Sequence, residues 1–279
     1  MLGLRIFVGP STRHTHPGGT AVPHHLSKVR LKPLAGLLTA AFLAAALTSC
    51  SSLHGVTSPR SARDGAPEDK KVAAGAVDCR KAKCVALTFD GGPSAPTPKL
   101  LDILKKEKQH ATFFLQGKGH VDTYPETVRR MAADGNEIAN HTWSHAVLTD
   151  IKPAQVREEL SRVQDPIEKL TGKKPTLMRP PQGRTDDDVS KIMREMGLAQ
   201  ILWSVTAKDY ETTDTALITK RVLDQTKRDG IILLHDRYKG TIPAVPGIIA
   251  ELRKRGYTIV TVSELIAPSK PEPGKVYRP

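Results

Sequence analysis

Six side chains with the means to do chemistry are scattered along this chain: Asp90, His141, His145, Arg179, Asp209 and His235. A carboxylate can take a proton from water, and an imidazole can return one to a leaving group near neutral pH. His141 and His145 enclose Thr-Trp-Ser, a spacing that places two rings one helical turn apart, on one side of a shared ion. Paired imidazoles favour zinc, with cobalt or another borderline transition metal as alternatives. Each residue alone has an ordinary reading: an acid that closes a turn, a satisfied core histidine, a surface cation. The informative feature is that nearly all of them sit at the end of an apolar run.

Those runs are the elements that must position the chemistry. Residues 85–89, 111–115, 137–140, 177–179, 199–203, 231–234 and 257–262 read as seven short strands. Helical segments separate them, at about 97–107, 125–133, 153–170, 186–196, 213–227 and up to 255, with a short last helix after Ser263. Thr97 is the expected cap of the first, and Pro166 the expected kink or break in the third. Strands alternating with crossover helices pair in parallel. Apolar runs without alternation are covered on both faces. About seven such units predict an α/β fold, a distorted (β/α) barrel of about seven parallel strands. In a parallel barrel the ends of the strands share one face, and barrel enzymes keep their chemistry there. Asp90 follows the first strand, His141 the third, Arg179 ends the fourth, Asp209 lies beyond the fifth and His235 follows the sixth.

The motifs in this order resemble those of the polysaccharide deacetylase family, carbohydrate esterase family 4, over roughly residues 85–266. Thr-Phe-Asp-Gly-Gly-Pro at 88–93 is similar to the first motif, Asn-His-Thr-Trp-Ser-His at 140–145 to the second, and Arg-Pro-Pro-Gln-Gly at 179–183 to the third. Trp203 to Tyr210 is similar to the fourth and Leu-Leu-His at 233–235 to the fifth. The resemblance implies a hydrolase that removes acetyl groups from an N- or O-acetylated polysaccharide: peptidoglycan, chitin oligomers or xylan. His141 and His145 would hold a divalent metal that polarises the acetyl carbonyl. Asp90 would be the base, Arg179 would orient it, and His235 would be the acid, steadied by Asp209. Tyr210, Leu233, Pro181, Gln182 and Trp203 would shape the substrate pocket. Gly91 stands where the family's first motif carries a second acid, the third metal ligand, and Thr206 replaces an acid of the fourth motif. The alternative reading is therefore a non-catalytic, glycan-binding barrel that has lost a metal ligand at Gly91.

The rest of the chain bears on location. Arg30 and Lys32 precede an apolar run at 34–47, and Leu-Thr-Ser-Cys follows, ending at Cys50. A positive flank, a short apolar stretch and small residues describe an export signal over residues 1–50. The run is shorter than the roughly 20 residues that span a bilayer. Its end resembles the lipobox of bacterial lipoproteins, in which Cys50 would carry lipid; an ordinary secretory signal is the other reading. The expectation is a membrane lipoprotein facing the outside, or a secreted protein. Residues 51–78, rich in Ser, Gly, Ala and Pro, predict a flexible tether. Residues 79–266 are the expected catalytic domain, entered through a Cys79–Cys84 disulfide, which export permits. Residues 267–279 read as a loose tail. The net charge is +13. Residues 1–83 supply 12 basic against 4 acidic side chains, so the folded part is only mildly basic. No basic stripe with interleaved aromatics marks that part, and a nucleic-acid partner is not expected. The expected partners are an acetylated polysaccharide and the membrane, with no obligate protein partner.

Overall fold

In a computed structural model, residues 55–279 are described. The expected export signal and Cys50 lie outside the described residues. In chain order the elements are β1 (Val56–Thr57), α1 (Pro59–Asp64), β2 (Cys84–Gly92), α2 (Thr97–Lys106), β3 (Thr112–Leu115), α3 (Pro125–Ala133), β4 (Glu137–Asn140), α4 (Pro153–Thr171) and β5 (Leu177–Met178). They continue with α5 (Asp187–Glu195), β6 (Ala199–Ile201), β7 (Val205–Thr206), α6 (Thr215–Gln225), β8 (Ile231–His235), α7 (Thr241–Lys254), β9 (Thr258–Val260), α8 (Val262–Ile266) and β10 (Val276–Tyr277). Every pairing among them is parallel, in the order β1-β10-β6-β5-β4-β3-β2-β8-β7, with β9 also on β2. All seven predicted strands are present. Three two-residue strands, at 56–57, 205–206 and 276–277, carry too few residues to show a pattern.

β2 is the central strand, and all nine of its residues are buried. That is why Val-Ala-Leu-Thr-Phe shows no alternation: helices cover one face and the barrel interior the other. Leu87, Phe89, Phe113 and Leu115 pack with Leu100, Leu101 and Leu104 of α2 and Val245, Ile248 and Ile249 of α7. A smaller cluster holds Ala86, Phe114, Ala139, Leu177 and Ile201 with the Cys79–Cys84 disulfide, which is formed.

Four expectations are corrected. Val56–Thr57 pairs with β10, and Arg63 of α1 is buried and ion-paired to Asp229 at 2.8 Å. Part of the predicted tether is therefore docked, and the predicted loose tail ends in a strand paired to β6. α4 runs through Pro166 unbroken. The residue before α2 that caps it is Pro96; Thr97 lies inside, where its hydroxyl accepts the Ser94 N–H and donates to Asp236.

Candidate active site

Strand register brings the rim together. Across β2 and β8, Asp90 lies opposite His235, and across β2 and β3 it lies opposite Phe114. Leu115 faces Asn140, which brings His141 level, and Asn140 faces Met178, which brings Arg179 level. The order of strands, not the order of residues, is what makes four distant motifs neighbours.

Arg179 Nη1 donates to Asp90 Oδ1 at 2.7 Å and to Thr88 Oγ1 at 2.8 Å, while its Nε donates to the Ile201 carbonyl. The guanidinium is fully buried and lies 4.1 Å from the centre of the Phe114 ring. Burial lowers its pKa and Asp90 opposes that shift. With Oδ1 held, the other carboxylate oxygen, Oδ2, is 3.9 Å from His141 Nε2.

His141 Nδ1 lies 2.8 Å from the Arg179 carbonyl, so Nδ1 carries the proton and donates. Burial pushes the ring's pKa down to about 4, against the pull of Asp90. His141 is thus neutral at pH 7, with the Nε2 lone pair free. The His145 ring centre is 4.9 Å away. Burial lowers its pKa too, and the charge of Arg237 adds to the effect. No helix spaces this pair, contrary to the sequence expectation. A tight loop does so: Thr142 and His145 adopt φ of 68° and 64°, pinned by Thr142 N–H on Asn140 Oδ1 and His145 N–H on Thr142 Oγ1. The short side-chain hydrogen bonds give these backbone groups an alternative to helix.

Opposite, His235 Nδ1 lies 2.8 Å from Asp209 Oδ1, and Asp209 Oδ2 accepts from the His235 N–H and the Thr241 hydroxyl. Burial would raise the Asp209 pKa; the hydrogen bonds and charge of His235, with Thr241, outweigh it and leave it lowered. A charged Asp209 fixes the Nδ1–H tautomer and turns Nε2 outward.

Asp90, His141, His145 and His235 open into one cavity of about 420 Å³. Gln182, Trp203, Tyr210 and Leu233 line it, as predicted for a pocket, and so does Thr206. Pro181 does not. The chain turns through Gln182 at φ 57°, which leaves Pro180 and Gln182 on the cavity side and Pro181 buried behind. Arg237 and Tyr238 line the cavity as well and were missed. They follow His235 directly, so the strand-end rule, carried two residues further, would have found them. A larger cavity of about 650 Å³ opens elsewhere, lined in part by His110, Glu137 and Thr176. It contains no paired acid and base, and its size alone gives it no chemistry.

The polysaccharide deacetylase profile matches residues 78–201. The peptidoglycan-N-acetylmuramic acid deacetylase PdaC of Bacillus subtilis (strain 168) is 44% identical over 184 residues, covering 66% of this chain and 38% of PdaC. A solved structure of that protein is similar with a TM-score of 0.63 at 42% identity, covering 68% of this chain and 92% of that one. A peptidoglycan-N-acetylglucosamine deacetylase of Bacillus cereus is 36% identical over 190 residues, 66% of this chain and 88% of the relative. This chain belongs to the polysaccharide deacetylase family. Its structural neighbours include BA3943 of Bacillus anthracis, described as a pseudoenzyme of carbohydrate esterase family 4, with a TM-score of 0.64 at 26% identity over 71% of this chain and 70% of that one. The chain spans about two-fifths of the length of the first curated relatives it matches.

A member of this family would be expected to hold a metal on His141, His145 and a third protein ligand, since three are usual at a catalytic zinc. The two imidazoles are placed for this. The third donor is absent: Gly91 occupies that position at φ 74°, and among the described residues no group of three His, Cys, Asp or Glu side chains is placed to share an ion. The nearest atoms that a Cβ at Gly91 would meet belong to the Arg237 guanidinium, with Cζ at 3.4 Å and Nη1 at 3.5 Å. A cation packs where the resemblance puts an anionic ligand, so the donor set does not fit a three-ligand site. The expected zinc narrows to two imidazoles. Gly92 is glycine for a different reason, since its Cβ would fall 2.1 Å from Asp236 Oδ2.

Proposed function

We propose that the chain hydrolyses acetyl groups from a cell-wall polysaccharide, with acetylated peptidoglycan as the substrate class its relatives favour. The observation that carries this reading is the arrangement of two ready-made proton-transfer pairs, Asp90–Arg179 and His235–Asp209, on one cavity wall system. Asp90 Oδ2 takes a proton from the attacking water as the new C–O bond forms. Arg179 holds Oδ1 and so fixes which oxygen does this. His235, protonated and steadied by Asp209, then gives its Nε2 proton to the departing sugar nitrogen or oxygen as the bond to the acyl carbon breaks. Acetate and a free amine or hydroxyl result. Tyr210, which meets the His235 ring edge-on at 5.9 Å, and Leu233 wall the space for the acetyl methyl. A divalent ion, where bound, would rest on the imidazoles of His141 and His145 and would polarise the acyl carbonyl.

Export, and anchoring through Cys50 to the outer face of the bacterial membrane, would keep the cavity beside the wall polymer. The test is acetate release from acetylated peptidoglycan, chitin oligomers and acetylated xylan by the wild-type chain and by Asp90→Asn. Release by wild type and a loss of about 100-fold or more in the variant is expected. Binding of the same polymers without release by either would favour the glycan-binding barrel instead.

A further inference from the structure

Resting on that deacetylase reading, we propose that Arg237 binds the acyl oxygen of the substrate and stabilises its developing negative charge, so that the site works without a divalent metal. The guanidinium lies beside the space that a Cβ on Gly91, the residue after Asp90, would fill, and Arg237 lines the same cavity as Asp90, His145 and His235. Among the described residues it forms no ion pair. Its one hydrogen bond there runs from Nη2 to the Tyr238 hydroxyl at 3.3 Å, with the Tyr238 ring centre 5.3 Å from Cζ. An aromatic ring and a phenol position this cation without neutralising it. A positioned guanidinium with free donors at the edge of a pocket is suited to a planar carboxyl or acyl group, and it serves best where charge develops during reaction.

Gly91 completes the arrangement. A Cβ there would already touch the guanidinium, and a carboxylate one bond further out would pair with it. An acid at 91 and a free Arg237 are therefore mutually exclusive. With glycine, the charge of Arg237 faces the cavity. Asp90 takes the water proton, the carbonyl oxygen gains its electron pair beside Arg237, and collapse of the tetrahedral species expels the sugar group with the proton from His235.

The experiment separates binding from turnover. Acetate, which carries the same acyl oxygens, is titrated into the chelator-treated full chain, followed by NMR, for wild type, Arg237→Met and Arg237→Lys. Zinc content is measured for wild type, Gly91→Asp and Gly91→Asp with Arg237→Met. Acetate should bind wild type without metal, about ten- to a hundredfold weaker in Arg237→Met, and in between for Arg237→Lys. Zinc should stay far below one per chain in wild type and approach one only in the double variant. Acetate that binds wild type no tighter than Arg237→Met overturns the proposal. Stoichiometric zinc in wild type, with acetate binding lost on chelation, overturns it as well. A wild type that binds acetate through Arg237 but releases none from any polymer counts against the deacetylase reading and leaves the Arg237 site standing.

Discussion

Asp90 has one oxygen committed to Arg179 and one facing the cavity, and this division depends on the full reach of the guanidinium. Arg179 also serves Thr88 and the Ile201 carbonyl, three acceptors on two strands. A lysine has one compact charge and cannot hold all three. Arg179→Lys should lower kcat about 10- to 100-fold with little change in KM, read by steady-state acetate release. A fall in substrate affinity alone would contradict its role as the residue that positions Asp90. Asp236 makes a separate prediction. It is fully buried, Oδ2 accepts from Thr97 and Oδ1 has no partner. Burial raises its pKa from 3.8 to about 6. The folded carboxyl keeps its proton at a pH where the unfolded one has lost it, so its contribution is present below pH 3.8 and is lost as pH rises through about 6. Relative to Asp236→Asn, wild type should therefore lose about 2 kcal/mol between pH 4 and pH 7.5. Urea unfolding of both proteins at the two pH values measures this, and a pH-independent difference would refute it.

The strands make the site by register, and that level was legible early because Asp90, His141, Arg179 and His235 each terminate an apolar run. The loop that joins His141 to His145 was not legible. Two non-glycine residues at positive φ leave no mark in composition, and a helical spacing was the simpler reading. α1 was missed for a related reason. Its six residues are too few for a periodic pattern, and a single buried arginine anchors it. Arg63 reaches Asp229 with Nη1 at 2.8 Å and also the Leu265 carbonyl. Removing one member of a buried pair strands the other, so Arg63→Ala should cost about 3–5 kcal/mol. The check is the urea midpoint; an unchanged midpoint would mean that α1 adds nothing to the barrel's stability.

Across the molecule, export, docking and catalysis are read from different parts of the chain. The basic excess in residues 1–83 and the lipobox-like Cys50 would place the protein at a membrane surface. The barrel would present its cavity to the wall. Family and fold could be read from five ordered motifs, because each motif marks a strand end and the fold turns that order into proximity. Arg237 lay beyond that reading, because its significance comes from its place beside the missing side chain of Gly91, and proximity across a barrel mouth is not a sequence property. Turnover in this site requires His235 to act as acid across the cavity from Asp90. The most direct measurement is kcat and KM for acetate release from acetylated peptidoglycan by wild type and His235→Ala, with binding of the polymer followed separately. A kcat reduced about 100-fold or more with binding retained is the predicted result. Equal kcat in the two proteins, or no release by wild type, would contradict it.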